Sequence, residues 1–138
     1  FMPFQYGNPA NPGVHEASTG PELLAQAGDV DAFVAGLGTG GTLTGVGRFL
    51  KRARPGVRVV AAEPMAGELV QGLRSLDEGF VPPVFDPSVL DDRLLVTGRD
   101  AIIGLRQLLR EEGIFGGLSS GARRSQSNRT SPPMRNTR

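Results

Sequence analysis

The chain has 138 residues, a formal net charge of +1, one histidine and no cysteine. That length suits one domain with a core of its own, while the missing cysteines and lone histidine exclude a disulfide framework and structural zinc. No apolar run reaches the roughly 18 residues of a membrane span, and residues 1–8 lack a signal-peptide pattern, so the expectation is a soluble, cytoplasmic protein with no membrane partner.

Taken in chain order, Phe1 to Gly20 is rich in Pro, Asn and Gly, without sustained periodicity, and is expected to be a lead-in loop. Pro21 suits the first turn of a short helix through Leu23, Leu24 and Ala27, which Gly28 ends. Val30 to Leu37 is a compact apolar run of the kind buried on both faces of a parallel sheet. A glycine-rich turn follows, and Leu43, Val46, Gly47 and Leu50 then recur at helical spacing from Thr42 to Ala53, before Pro55 and Gly56. With a second apolar strand from Val57 to Ala62, this stretch has the order and size of a right-handed βαβ unit. Glu63 to Pro87 is irregular and reads as loop, with one short helix expected around Glu68 to Arg74. Leu94 to Thr97 is expected as a strand, Asp100 to Glu112 as an amphipathic helix stopped by Gly113, and Ile114 with Phe115 as a brief last strand. Residues 116–122 form a second glycine-rich turn that opens a helix. The fold class expected is α/β, three-layered, with a mostly parallel, Rossmann-like sheet over residues 21–122.

Charge is uneven along the chain. Residues 1–122 hold ten basic and fourteen acidic residues, whereas 123–138 hold five arginines and no acid. A tail of that composition buries too little to order itself, so 123–138 is expected to be disordered and foreign to the domain. It has no aromatic residue for stacking on bases, which argues against nucleic acid as its partner.

Gly36, Gly38 and Gly41 match G-x-G-x-x-G, where glycine lets backbone amides approach a phosphate while the chain turns into a helix. Thr39 and Thr42 add hydroxyl donors, and no lysine follows the last glycine, so the loop is not a Walker A loop. Glu63 ends the second strand where a dinucleotide site carries its ribose-binding acid, and on the residues alone a dinucleotide and a small phosphorylated cofactor both remain open. His15 has no visible partner and receives no role. Asp77, Glu78, Asp91 and Asp92 form adjacent pairs typical of solvated turns.

Several separated blocks carry a resemblance. They are Gly7-Asn8-Pro9-Ala10-Asn11-Pro12, Thr19-Gly20-Pro21-Glu22, Val34 to Thr42, Glu63-Pro64, Gly79-Phe80-Val81-Pro82, and Glu112-Gly113-Ile114 with Ser119-Ser120-Gly121. In this order they resemble the later part of the cysteine synthase and cystathionine β-synthase family, pyridoxal-phosphate enzymes of fold type II. The resemblance implies β-replacement on an activated serine with a sulfur donor. It also implies that Gly38, Thr39, Gly40, Gly41 and Thr42 bind the phosphate of pyridoxal 5'-phosphate, and that Ser119 hydrogen-bonds its pyridine nitrogen; without the resemblance, Ser119 reads as a helix cap. The segment Leu73-Arg74-Ser75-Leu76-Asp77-Glu78 is similar to the branch that uses O-phosphoserine, so Arg74 is a candidate for the substrate phosphate; the alternative is a solvated arginine paired with Asp77 or Glu78. That branch implies a thiocarboxylated sulfur carrier protein as partner, and the family implies a homodimer. The family's Schiff-base lysine lies in a portion with no counterpart here, so no catalytic residue is assigned, and the chain is expected to be an incomplete piece, inactive alone. Lys51, the one lysine, reads as part of a solvated helix face.

Overall fold

The computed structural model describes residues 1–130, with side chains through Ser125. Helix α1 (Ala10–Val14), a π-helical turn (His15–Thr19) and α2 (Gly20–Ala27) lead into strand β1 (Ala32–Gly36), helix α3 (Gly41–Ala53) and strand β2 (Arg58–Pro64). Two 3-10 turns, Leu76–Glu78 and Pro87–Val89, interrupt the long loop that follows. Strand β3 (Asp92–Val96), α4 (Gly98–Glu112) and α5 (Leu118–Thr130) complete the described chain.

The three strands are parallel in the order β1-β2-β3, with Phe33 opposite Val59 and Ala62 opposite Leu94. Because side chains alternate along a strand, Ala35, Val59 and Ala61 pack on one face with Leu37, Leu43 and Phe85. Val34 and Ala62 face the other way, onto Val96, Ala101, Leu118 and Ala122. The sheet therefore lies between α3 with the N-terminal helices and α4 with α5, the three-layer α/β architecture expected from the sequence. Leu43, Val46 and Leu50 are fully or almost fully buried at helical spacing along α3.

Two helix contacts are made at backbone distance. A Cβ at Gly45 would lie 2.2 Å from the Pro12 carbonyl oxygen, so α3 and the N-terminal helical segment touch through their backbones. A Cβ at Gly104 would lie 2.1 Å from the Gly121 oxygen, and one at Gly121 would lie 2.0 Å from the Ala101 oxygen, so α4 and α5 cross in the same way. α4 starts on a capping box: Thr97 accepts from the Asp100 N–H, and Asp100 accepts from the Thr97 N–H.

Four expectations are corrected. Residues 10–20 are helical rather than loop. Pro12 stands in the first turn of α1 and Pro21 in the first turn of α2, where a missing N–H costs nothing, and a π turn joins the two helices, with the Gly20 N–H reaching back to the His15 carbonyl. Residues 68–74 form no helix, because Gly67 (φ 82°) and Gly72 (φ 87°) are left-handed, and the Arg74 N–H is drawn to the Leu37 carbonyl, 2.7 Å away, at the end of β1. Ile114 and Phe115 form no strand. Gly113 ends α4 at φ 68°, the Ile114 N–H is taken by the Leu108 carbonyl, and both side chains are exposed. Finally, the start of the basic tail belongs to α5, which packs on α4 through the glycine contact and runs to Thr130; the rest of the expected tail, 131–138, lies outside the described residues.

Candidate anion-binding cup and the family it defines

The loop between β1 and α3 closes a cavity of about 160 Å³ lined by Gly36, Gly38, Thr39, Gly40, Thr42, Gly72, Leu73 and Arg123. It lies at the carboxyl ends of parallel strands, where open α/β sheets bind ligands. Gly40 is the N-cap of α3 at φ 82° and has no side chain to cap it, and Thr39 takes only the Gly41 N–H. The other amides of the first turn point at a space that an anion can fill, and the dipole of α3 favours negative charge there. The close packing explains the glycines. A Cβ at Gly40 would meet Phe85 at 2.7 Å, one at Gly41 would meet the Asn11 side-chain oxygen at 2.0 Å, and one at Gly38 would meet the Gly72 carbonyl at 3.0 Å.

The two threonines are held from behind. Thr39 Oγ1 accepts from Asn11 Nδ2 at 3.1 Å and from the Gly41 N–H at 3.2 Å. With both lone pairs engaged, its own proton is available to an acceptor in the cavity. Asn11 is fixed in turn by donating to the Gln5 carbonyl at 2.8 Å. Thr42 Oγ1 lies 3.2 Å from His15 Nε2, whose Nδ1 lies 2.9 Å from Thr19 Oγ1. In the Nε2–H tautomer the imidazole donates to Thr42 and leaves the Thr42 proton for the cavity. Gly38, Thr39, Gly40 and Thr42 thus line one site, and Gly41 starts the helix behind it. The sequence reading missed Asn11 and His15, because their partners lie 28 and 27 residues away.

Ser119 is half-buried in the first turn of α5 and does not line the cavity, but it faces Gly72, which does. Arg74 is exposed outside the cavity. Its guanidinium lies over the rings of Tyr6 and Phe80, 4.9 and 5.2 Å from their centroids, and donates to the Tyr6 hydroxyl at 3.0 Å. The pairing with Asp77 or Glu78 is not what holds it. Asp77 pairs with Arg93 at 2.9 Å, and Glu78 accepts from the Gly67 N–H.

Glu63 is completely buried, binds Arg93 and accepts the Leu76 N–H at 3.0 Å. Asp77 pushes the pKa of the Arg93 guanidinium up, burial pulls it down, and Glu63 adds to the rise, so the net direction is up. A carboxylate engaged in this way is not available to a nucleotide ribose, which removes the observation that favoured a dinucleotide. Lys51 sits late on α3, at the end opposite the cup, where it donates to Asp91 at 2.5 Å and to the Val57 carbonyl at 3.0 Å.

A three-layer α/β domain with an amide-and-hydroxyl cup at the start of α3 has the geometry of proteins that take an anionic group at a helix N-terminus. Comparison with known proteins narrows this. The family profile described as "Pyridoxal-phosphate dependent enzyme" matches residues 1–124, and the chain belongs to that family. It is 45% identical over 131 aligned positions to the cysteine synthase of Staphylococcus aureus strain Mu50, and equally to that of strain N315, covering 88% of this chain and 42% of each relative. The crystal structure of O-ureido-L-serine synthase superposes with a TM-score of 0.86 at 41% identity, over 96% of this chain and 46% of that one. The chain therefore spans less than half the length of the relatives it matches. The resemblance to cysteine synthases of fold type II holds, and the cofactor of that family is pyridoxal phosphate.

Proposed function

We propose that this chain supplies the cofactor-phosphate cup of a cysteine-synthase-type enzyme that replaces the Cβ substituent of an activated serine, O-phosphoserine or O-acetylserine, with sulfur. The observation that carries this reading is the cup, in which Asn11 and the Gly41 N–H occupy the lone pairs of Thr39 and leave its proton for a ligand, with the Thr42 hydroxyl held 3.2 Å from His15 beside it. Its donors suit a phosphate group: the first-turn amides of α3, the hydroxyls of Thr39 and Thr42, and a glycine floor into which no Cβ intrudes. When bound, pyridoxal phosphate supplies an electron sink for loss of the Cβ substituent. Gly38 to Thr42 anchor it, while the neutral hydroxyl of Ser119 meets the pyridine nitrogen without enforcing its protonation. Arg74, clamped by two aromatic rings with N–H groups to spare, takes the phosphate of O-phosphoserine. The same resemblance supports a sulfur carrier protein and a second copy of the enzyme as partners.

On this reading Lys51, held by Asp91 and Val57, forms no Schiff base, and the 138-residue chain binds the cofactor without turning substrate over. Titration with pyridoxal phosphate and with pyridoxal, followed by borohydride, tests this. The expected result is saturable binding of the phosphorylated form, weaker binding of pyridoxal, and no cofactor fixed to Lys51 after reduction. Equal affinity for the two forms would refute the cup, and reduction onto Lys51 would restore a catalytic lysine.

A further inference from the structure

We infer that Arg123 is an anion ligand of the cup, pairing its guanidinium with the phosphate group that the cup holds; the inference rests on the reading of the cup as a phosphate site. Every other residue lining the cavity is neutral: Gly36, Gly38, Thr39, Gly40, Thr42, Gly72 and Leu73. The amides, the hydroxyls and the α3 dipole stabilise an anion without a formal positive charge, and Arg123 is the residue of that lining that can add one. The guanidinium runs along the glycine floor. A Cβ built at Gly36 would lie 3.0 Å from Arg123 Nε and 3.6 Å from Nη2, so the first glycine of the G-x-G-x-x-G run leaves room for a cation as well as for the turn.

The backbone that carries Arg123 is anchored on both sides. Gly121 packs against the Ala101 carbonyl and Leu105, and Ala122 is completely buried. On the other side Arg124 pairs with Glu111 at 2.8 Å and Glu112 at 3.3 Å. The composition of the tail hides this, because a segment polar throughout gives no sign that its first turn docks between α4 and the cup. A guanidinium offers a planar fork of donors that matches two oxygens of a tetrahedral oxyanion. The ligand class that follows is a phosphate monoester or inorganic phosphate, in preference to an uncharged aldehyde.

The test uses the whole 138-residue chain, titrated separately with pyridoxal phosphate, inorganic phosphate and pyridoxal at low and high salt. Arg123→Gln is expected to weaken both phosphorylated ligands roughly 10- to 100-fold, as loss of a charge-assisted hydrogen bond does. It is also expected to flatten the salt dependence and leave pyridoxal unaffected, with Arg123→Lys in between. Loss for pyridoxal phosphate alone would identify the cofactor as the ligand; loss for both ligands would identify any phosphate group. Wild-type affinity in Arg123→Gln, together with weakened binding in Thr39→Val, would overturn the role of Arg123 and leave the cup standing. If the unaltered chain bound neither phosphate nor pyridoxal phosphate, both would fall. Modification by phenylglyoxal, read by mass spectrometry on the unaltered chain, needs no variant to fold. Phosphate should slow the reaction at Arg123, and an unchanged rate would count against the inference.

Discussion

Thr39 shows how a single hydroxyl is made into a donor. Asn11 and the Gly41 N–H occupy its lone pairs, so replacing it with valine removes the directed proton at little change in volume and leaves both donors without this acceptor. Thr39→Val should therefore weaken phosphate binding about tenfold and also lower the melting temperature, which titration beside a thermal scan would check. Arg93 presents the opposite case, in which stability rather than binding is at stake. Its truncation to alanine would leave Glu63 buried without its cation, at a cost of about 3 kcal/mol. Urea unfolding of Arg93→Ala should show that loss, and Glu63→Gln in the same background should recover part of it. The glycines and threonines of the cup were legible in the sequence because their pattern is local. The roles of Asn11, His15 and Glu63 were not, since each depends on a partner more than ten residues away that no spacing rule predicts.

At the scale of elements, β1, α3 and β2 were legible because two apolar runs bracket a strongly periodic helix. The N-terminal helices were not, because Pro9, Pro12 and Pro21 resemble loop residues until each is seen to stand at the cap or in the first turn of a helix. The loop after β2 is tied to α3 by charge. Ser88 and Arg48 hold the carboxyl of Asp86 below its ordinary value, and the Asp86 N–H donates to the buried Thr44 at 2.9 Å. At Asp91 burial pushes the carboxyl up, but Lys51 and the Val59 N–H outweigh it and the net direction is down. A carboxyl depressed in the folded state contributes stability above its unfolded pKa, which is lost as the pH falls through the folded value. Resistance to urea should therefore drop as the pH is lowered below about 4, and Asp91→Asn should make the drop shallower. The glycine crossing of α4 and α5 gives a sharper test. Gly104→Ala puts a methyl group where the Gly121 oxygen stands, so it should cost about 2 kcal/mol or more, visible as a fall in the denaturation midpoint.

The molecule as a whole leaves apolar surface open. Ile102, Ile103 and Leu109 on α4 are exposed, as are Leu95 on β3 and Ile114 with Phe115 beyond α4. Among the described residues, β1 and β3 are the two edges of the sheet. Open parallel edges beside apolar faces favour association, so light scattering of the purified chain should show self-association that grows with concentration. A monodisperse monomer at high concentration would contradict this.

The cup is assembled from four distant stretches of chain: Asn11 as a brace, Thr39 to Thr42 as the donors, Gly72 as one wall and Arg123 at the floor. None of these stretches can bind alone, so ligand and fold are thermodynamically linked, and an occupant acts as a fifth, non-covalent piece of the core. Any anion that fits the cup adds RT ln(1 + [L]/Kd) to the free energy of unfolding, about 2.7 kcal/mol at a hundredfold excess over Kd. The chain should therefore resist unfolding better where phosphorylated ligand is abundant, the small molecule adding to the stability of the fold whether or not it takes part in any chemistry.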